Sequence, residues 1–320
     1  MTAAESRAET AVARPLDFAV IGASKSGTTS LFHYLRSHPS IYLPPGKDLP
    51  FFAADPAFAR GWEAAAAEHY AAALPDALWG TVTPRYMEDA RVPERMRRLM
   101  PEIRLAALVR NPIDRAFSQY RQQVRLGKEK RSFPRAVADE LDRAALARAR
   151  SAPQELDAGR RYLATGEYGR ILAGFLERFE PGRLAVLFTE ELEGEPGATL
   201  DPLLVHLGLS PGFRPPNLDH RYHRGGTRER FPGLPSRLKR LRPARPLWRL
   251  LPVRRRRAAW TWLFTRANVV AEPAPEMPAP LRDELASFFR EDVRMLEPIA
   301  GRPVPWPELT GRRGAEEHGR

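Results

Sequence analysis

The sequence predicts an α/β fold of three layers, in which a central parallel sheet is flanked by helices. Short, uninterrupted apolar runs recur along the chain, and the clearest of them end in polar or glycine-containing turns. These turns lead into segments with helical spacing, an alternation that is typical of parallel strands joined by helices. The runs lack polar alternation, which is expected of strands covered on both faces.

The remaining elements follow the same two patterns. Apolar runs that are too short for helices predict strands at 40–43, 78–82, 105–109 and 183–188. Helical spacing of apolar residues predicts helices at 56–73, 133–150, 166–179 and 281–296. The helix at 133–150 is rich in Arg and Ala, so we expect it to be solvated.

The first strand, helix and intervening turn predict a phosphate-binding site. The apolar run 18–21 is followed by Gly22-Ala-Ser-Lys-Ser-Gly-Thr-Thr29, and helical spacing begins at Leu31. Backbone N–H groups at the start of a helix have no partner of their own, and the positive end of the helix dipole points at whatever anion lies there. The segment therefore predicts an anion-binding loop in a P-loop-like fold.

The position of the lysine in this loop separates two classes of phosphate-binding protein. Gly22 and Gly27 have the spacing of the nucleoside-triphosphatase motif G-x-x-x-x-G-K-[ST], but Thr28 stands where its lysine belongs. The segment instead resembles the 5′-phosphosulfate loop, K-x-G-T-T/S, of sulfotransferases that use 3′-phosphoadenosine-5′-phosphosulfate (PAPS). The resemblance implies that the 5′-phosphate is bound by Lys25, Ser26, Gly27, Thr28 and Thr29.

A second anion site is predicted where the apolar run 105–109 ends. The next residue is Arg110, where a kinase or ATPase would place an acidic residue to hold Mg²⁺. Pro112 opens a helix, since its fixed φ and missing N–H cost nothing there. Ser118 lies two turns along that helix, and an arginine and a hydroxyl so placed can converge on one phosphate. The segment resembles the 3′-phosphate motif of the same family, R-[DN]-P-x-[DE]-R-x-x-S-x-[YH].

Two anion sites at two strand ends suit a nucleotide that is phosphorylated at both its 5′ and 3′ positions. In open α/β sheets, ligands bind outside the carboxyl ends of the strands, so both sites can face one ligand. We therefore expect Gly27 and Arg110 to lie close together. PAPS is the expected co-substrate and 3′-phosphoadenosine 5′-phosphate (PAP) the product, with no metal required.

The loop Lys47-Asp48-Leu-Pro-Phe-Phe resembles K-E-x-x-F-F of carbohydrate-type sulfotransferases, in which the glutamate is the general base toward the acceptor hydroxyl. The resemblance gives Asp48 that role, with a side chain one methylene shorter. A turn-capping aspartate beside two core aromatic residues is the structural alternative. Should Asp48 be inert, His33 or His38 is the next candidate for the base, although each also suits packing or capping of the first helix.

The predicted reaction is in-line transfer of the sulfuryl group of PAPS to a hydroxyl or amine of a carbohydrate, lipid or secondary-metabolite acceptor. Lys25 would neutralise the leaving phosphate oxygen, and Asp48 would take the acceptor proton. Arg85 is a candidate for acceptor contact. Tyr168, in a segment resembling G-x-Y-x-x-x-L-x-x-[WF], would either line the nucleotide or acceptor cleft or pack in the core.

Composition leaves two competing classes of function. The 320 residues carry a formal net charge of +12, which points to anionic partners, and the absence of cysteine excludes thiolate chemistry. A non-enzymatic nucleic-acid binder would explain the charge, but no recognition motif is present and we expect no nucleic-acid partner. A P-loop small-molecule kinase would share the glycine loop, but Lys25 and Arg110 argue against it.

The sequence predicts one domain at 16–306, with a disordered leader at 1–15 and a disordered tail at 307–320. A basic segment rich in proline and arginine at about 211–276 is expected to form a lid or insertion, and peripheral membrane contact through 233–266 stays open as an alternative. The leader lacks a signal-peptide pattern, and no apolar run approaches the roughly 18 residues of a membrane span. We therefore expect a cytoplasmic protein.

Overall fold

The computed structural model describes residues 14–153, 160–216, 218, 227–229, 269–271 and 277–311. Its main sheet contains β1 (Phe18–Gly22), β2 (Ile41–Tyr42), β3 (Leu78–Val82), β4 (Arg104–Val109) and β5 (Leu184–Phe188). The strands lie in the order β2-β3-β1-β4-β5, and every neighbouring pair is parallel. The predicted P-loop-like α/β fold with a central parallel sheet is confirmed.

The helices of the described residues connect these strands and flank the sheet. They are α1 (Thr28–Arg36), α2 (Asp55–Ala59), α3 (Trp62–His69), α4 (Val92–Leu99), α5 (Pro112–Arg125), α6 (Phe133–Leu141), α7 (Arg143–Ser151), α8 (Tyr168–Leu176), α9 (Thr189–Gly194), α10 (Pro196–His206), α11 (Ala279–Ala300) and α12 (Pro307–Thr310). Short 3-10 turns lie at Pro84–Glu88, Ala164–Gly166 and Pro181–Arg183.

Each face of the sheet packs against a different set of helices. Phe18 and Val20 of β1 join a hydrophobic cluster with residues of α1 and α10. Ala19 and Ile21 join a second cluster, to which α3, α4, α5, α8 and α11 contribute. Because successive strand residues point to opposite faces, β1 is buried on both sides. The tip of β1 therefore lies at the middle of the sheet, where a ligand can reach it only from the carboxyl edge.

Two of the predicted helices are broken in the structure. The helix expected at 56–73 is replaced by α2 and α3, which are separated at Gly61, whose φ of 88° glycine adopts readily. The helix expected at 133–150 ends at 141, and Asp142 starts α7 by accepting a hydrogen bond from the Ala145 N–H at 2.9 Å. This region is not simply solvated, since the buried Glu140 accepts hydrogen bonds from three backbone N–H groups at 162–164.

The described chain extends beyond residue 306, where the domain was expected to end. Helix α12 follows, and its Leu309 is fully buried. Residues 1–13 of the expected leader lie outside the described residues, as does most of the basic segment at about 211–276, including all of 233–266. Within that segment β6 (Thr227–Glu229) pairs antiparallel with β7 (Val269–Ala271). Among the described helices, none has the length and apolar character to cross a membrane.

Candidate active site

The segment between β1 and α1 forms a tight loop at the carboxyl edge of the sheet. Lys25 has a φ of 74° and Gly27 a φ of 82°, so the chain turns sharply at both residues. Gly27 is the N-cap residue of α1, and no side chain caps the helix there. The first N–H groups of α1 are therefore available to a ligand, and the loop has the geometry of an anion-binding turn.

Hydrogen bonds join this loop to the neighbouring strands. The Ala23 N–H donates to the Leu108 carbonyl of β4 at 2.6 Å. The Thr189 hydroxyl, at the end of β5, lies 2.8 Å from the Ser26 carbonyl and 2.9 Å from the Val109 carbonyl. Since β1 pairs directly with β4, the loop and the residue that follows Val109 lie side by side. The structure thus brings together the two segments at which the sequence predicts anion sites.

The Lys25 side chain is largely buried among other cations. Burial, together with the charges of Arg125, Arg110, Lys47 and Arg115, lowers its pKa to about 8. Within the part of the chain that the structure describes, no carboxylate forms an ion pair with Lys25, Arg110 or Arg125. The edge of the sheet therefore carries concentrated positive charge, which favours an anionic ligand.

A second lysine reaches the loop from the segment after β2. The Lys47 ammonium donates a hydrogen bond to the Thr28 hydroxyl at 3.1 Å. Burial lowers the pKa of Lys47, while the neighbouring Asp48 acts in the opposite direction. The segment is fixed by the Leu49 N–H, which donates to the Thr83 hydroxyl at 2.9 Å, and by the Tyr86 hydroxyl, which donates to the Leu49 carbonyl. Asp48 itself is exposed, beside the cationic loop.

Helix α5 contributes the other side of the site. Asn111 caps it by accepting from the Ile113 N–H at 3.0 Å, which leaves the partly exposed Arg110 just outside the first turn. Ser118 is half-buried on this helix, and Arg125 follows seven residues later. Residues at this spacing lie on one helix face, two turns apart. Ser118 and Arg125 therefore extend the cationic edge along α5.

Tyr168 lies beneath the loop and not at an open cleft wall. It is fully buried, as is Ser26, and its ring packs against Trp306 with 6.3 Å between ring centroids. Burial raises the pKa of Tyr168 to about 12, and the nearby Arg115 charge opposes that shift. Its hydroxyl lies near Ser26 and the Arg110 backbone but forms no hydrogen bond with either. The side chain is therefore positioned to support the loop from the core.

The two histidines that are alternative candidates for the general base both pack against other residues. His38, just beyond α1, accepts a hydrogen bond at Nδ1 from the Ser40 N–H at 3.1 Å and packs against Phe213. His33 lies in the second turn of α1, with its ring edge-on to Phe32. Arg85 is exposed in the 3-10 turn after β3, close enough for its charge to lower the pKa of Lys47.

Sequence reasoning did not assign three cations that the structure brings to the loop: Lys47, Arg115 and Arg125. Two of these cations lie in sequence motifs that could have identified them. Lys47 begins the Lys-Asp-Leu-Pro-Phe-Phe segment, and Arg115 is the second arginine of the motif that begins Arg-Asn-Pro. Arg115 is fully buried and donates to the Gln119 side chain at 2.6 Å and to the Tyr162 carbonyl. Arg125 could be found only through its helical spacing from Ser118.

The fold and the loop define a P-loop-like α/β protein with a cationic edge at the carboxyl ends of its strands. The sequence is 33% identical over 118 residues to the membrane-associated sulfotransferase kil1 of Dictyostelium discoideum, a match that covers 37% of this chain and 25% of that protein. It is 27% identical over 217 residues to heparan sulfate glucosamine 3-O-sulfotransferase 5 of Mus musculus, covering 64% of this chain and 57% of that protein. Both matches span less than two thirds of the relative. No protein-family model matches the sequence.

The structure is similar to that of a sulfotransferase from Alicyclobacillus acidocaldarius. The TM-score is 0.61 at 23% sequence identity, and the match covers 91% of this chain and 98% of that one. This likeness shows that the two proteins share a fold. The sequence matches, taken with this shared fold, show that the chain is similar to sulfotransferases.

Proposed function

We propose that this protein transfers the sulfuryl group of PAPS to a hydroxyl or amine of an acceptor. The observation that carries the proposal is the group of cations around the β1–α1 loop, in which Lys25, Arg110 and Arg125 form no ion pair among the described residues. The Glu190 carboxylate lies near enough to Arg110 for the Arg110 charge to lower its pKa, but it makes no ion pair with Arg110. A nucleotide with phosphates at both its 5′ and 3′ positions offers negative charge at two separated points. The β1–α1 loop and the tip of β4, which lie on adjacent strands, would each receive one of these phosphates.

The 5′-phosphate would lie at the start of α1. There Thr28 and Thr29 supply backbone N–H groups at the positive end of the helix dipole. The Thr28 oxygen accepts from Lys47, so its own proton is available to donate to a phosphate oxygen. The 3′-phosphate would lie against Arg110 and Ser118, with a bidentate guanidinium contact at the end of β4. Tyr168 would hold the underside of the loop.

The chemistry asked of these residues is placement and charge stabilisation. The acceptor oxygen or nitrogen forms a bond to sulfur as the bond from sulfur to the bridging phosphate oxygen breaks, in line. Negative charge develops on that phosphate oxygen, and Lys25 would stabilise it. The acceptor proton would pass to Asp48, which is exposed beside Lys47. The products are PAP and the sulfated acceptor.

The exposure of Asp48 also bears on the acceptor. The acceptor would approach from solvent over β2 and β3, since Asp48 lies on the segment that follows β2 and Arg85 on the turn that follows β3. One relative is named for heparan sulfate glucosamine, so sugar hydroxyls and amines are the first acceptors to test. Lipid and secondary-metabolite hydroxyls form the second set.

Binding of PAP and turnover of labelled PAPS test the proposal. We expect PAP to bind equally well with and without Mg²⁺ and to bind more tightly than ATP. Arg110→Ala should weaken PAP binding at least about tenfold, whereas Arg183→Ala, at the amino end of β5, should not change it. A panel of sugars, lipids and small hydroxyl compounds then identifies the acceptor. Tight Mg²⁺-dependent binding of ATP without binding of PAP would instead indicate a kinase.

A further inference from the structure

The ends of three adjacent strands meet at one buried threonine. Thr189 directly follows β5 and is the first residue of α9. It is only 4% exposed. Its hydroxyl lies 2.8 Å from the Ser26 carbonyl of the β1–α1 loop and 2.9 Å from the Val109 carbonyl at the tip of β4. Because β4 lies between β1 and β5 in the sheet, this side chain joins the loop to β5 across the tip of β4.

The Thr189 hydroxyl binds both of these segments at once. A threonine hydroxyl has a single proton to donate, and two carbonyl oxygens at these distances share it. The hydroxyl therefore holds the residue before Gly27 and the residue before Arg110. The methyl group of Thr189 also lies against the loop, since a Cβ built on Gly27 would be 3.8 Å from it. The two bonds fix the separation of the segments, because a buried carbonyl that moves away loses a donor.

The next residue holds the other side of Arg110. The Glu190 carboxylate accepts a hydrogen bond from the Asn111 N–H at 2.9 Å. Thr189 and Glu190 thus hold the backbone immediately before and immediately after Arg110, and Thr189 holds the loop as well. The end of β5 therefore sets where Arg110 lies relative to the start of α1.

We propose that Thr189 is a positioning residue that sets the spacing between the two phosphate sites, and with it the preference for a nucleotide phosphorylated at both its 5′ and 3′ positions. The inference rests on the proposed function, in which one nucleotide spans the loop and Arg110. The ribose of such a ligand keeps its two phosphates within a narrow range of distances. Two sites held at the matching distance bind both phosphates directly, whereas loosely held sites lose affinity because they must first be ordered.

A nucleotide with one phosphate needs only one of the two sites in place. Loss of the Thr189 hydroxyl should therefore weaken the binding of PAP more than the binding of 5′-AMP or 3′-AMP. A general loss of stability would affect all three ligands alike, so this difference distinguishes a positioning role from a purely structural one. The quantity to measure is the ratio of the affinity for PAP to the affinity for 5′-AMP.

Three variants of Thr189 isolate the hydroxyl. Thr189→Ser keeps the hydroxyl and removes the methyl group, whereas Thr189→Ala removes both, so these two variants differ by the hydroxyl alone. Thr189→Val lacks the hydroxyl without leaving a cavity. Tyr70→Phe is the control for stability, because the buried Tyr70 hydroxyl donates to the Gly80 carbonyl of β3 at 2.8 Å. Gly80 pairs with Phe18 at the start of β1, away from the loop.

Calorimetric titrations of the full chain with PAP, 5′-AMP and 3′-AMP test the inference, and thermal unfolding without ligand measures stability. We expect the affinity ratio to fall at least about tenfold in Thr189→Ala and Thr189→Val and to stay within about threefold of the wild type in Thr189→Ser. Thr189→Ala and Tyr70→Phe should both lower the thermal midpoint, but Tyr70→Phe should leave the ratio unchanged.

The same titrations separate this inference from the proposed function. If the wild type prefers PAP and Thr189→Ala and Thr189→Ser have equal ratios, the positioning role is overturned and the PAPS assignment stands. A ratio that falls as far in Tyr70→Phe as in Thr189→Ala also overturns the role, since loss of stability would then explain the change. A wild type without any preference for PAP contradicts the proposed function, and this inference with it.

Discussion

Lys25 is a cation surrounded by cations, and this arrangement controls when it is charged. Its pKa is lowered to about 8 by burial and then by Arg125, Arg110, Lys47 and Arg115. A bound phosphate would reverse the effect of these charges and raise the pKa again. Above pH 8 the free protein has a neutral Lys25, so binding of the phosphate must take up a proton.

The affinity for PAP should therefore fall as the pH rises through 8. The expected limiting slope is about tenfold per pH unit above that value, because one proton is taken up per ligand. The phosphate groups, with a second pKa near 6, do not titrate in this range. Titrations of PAP between pH 7 and 10 measure the effect, with Lys25→Arg as the control that stays charged. An equal fall in the arginine variant would assign the pH dependence to another group.

Replacing Lys25 should separate catalysis from stability. Lys25→Ala removes the charge that would stabilise the leaving oxygen, so we expect turnover to fall by on the order of 10² to 10³. Because its folded pKa is lowered from 10.5 to about 8, charged Lys25 is unfavourable in the free fold at neutral pH. The thermal midpoint of Lys25→Ala should therefore equal or exceed that of the wild type. Near-normal turnover of labelled PAPS would remove Lys25 from the mechanism.

Asp48 is the side chain whose substitution tests the base. Asp48→Asn keeps the shape but cannot accept the acceptor proton, so turnover should fall by about 10² to 10⁴. The affinity for PAP should be unchanged, since Asp48 is exposed and on the acceptor side of the site. Asp48→Glu serves as the control that restores a carboxylate. Full activity of Asp48→Asn together with loss of activity in His33→Asn would transfer the role to the histidine.

At the scale of elements, the packing of α8 on α11 supports the underside of the loop. The Asp292 carboxylate of α11 accepts from the Gly169 and Arg170 N–H groups at 2.9 and 2.8 Å, and so caps the start of α8. A Cβ at Gly169 would lie 2.3 Å from the Asp292 carbonyl and 3.0 Å from the Leu296 backbone nitrogen. Neither backbone atom can move without shifting α11. This contact fixes Tyr168, the first residue of α8, beneath Ser26.

Gly169→Ala should consequently affect both stability and ligand binding. Forcing the two helices apart should destabilise the fold by about 1 to 3 kcal/mol and weaken PAP binding through Tyr168. Gly174→Ala on the same helix is the matched control, because its Cβ meets open space, and it should be neutral or stabilising by about 0.5 to 1 kcal/mol. Denaturant unfolding and PAP titration provide the two measurements. A destabilised Gly169→Ala that binds PAP normally would contradict the link between α8 and the loop.

The elements that sequence could predict are those whose causes are local. The β1–α1 loop and the start of α5 depend on residues a few positions apart, namely Gly27 at a left-handed turn and Asn111 with its proline at a helix start. Gly61 and Asp142 each interrupt an alanine-rich segment whose helical spacing continues on both sides. A prediction from periodicity alone therefore treats each segment as one helix. Lys47 lies in a recognisable local motif, but its contact with Thr28 joins segments distant in sequence, which no local pattern contains.

Over the whole molecule, the net charge of +12 does not by itself locate the site. Many arginines outside it are paired, for example Arg131 with Glu129 and Asp139, and Arg214 with Asp201. All these pairs cancel local charge, and those at the surface, such as Arg214 with Asp201, contribute little to stability. The unpaired cations among the described residues of the β1–α1 loop differ from this background. Binding that depends only on total charge should therefore be distinguishable from binding at the loop.

The parallel pairing of β1 with β4 leads to the final prediction, which concerns how the two anion sites act together. A nucleotide that bridges both strand ends should bind more tightly than one with either phosphate alone, so PAP should exceed both 5′-AMP and 3′-AMP. At a concentration of 100 times its Kd, PAP should stabilise the fold by about 2.7 kcal/mol, measured as a rise in the thermal midpoint. Arg110→Ala should lower the affinity for PAP to that for 5′-AMP while leaving 5′-AMP binding unchanged, since the lost contact is to the 3′-phosphate alone. Equal affinities for PAP and 5′-AMP in the wild type would mean that one ligand does not span the two strand ends, and the PAPS assignment would then be wrong.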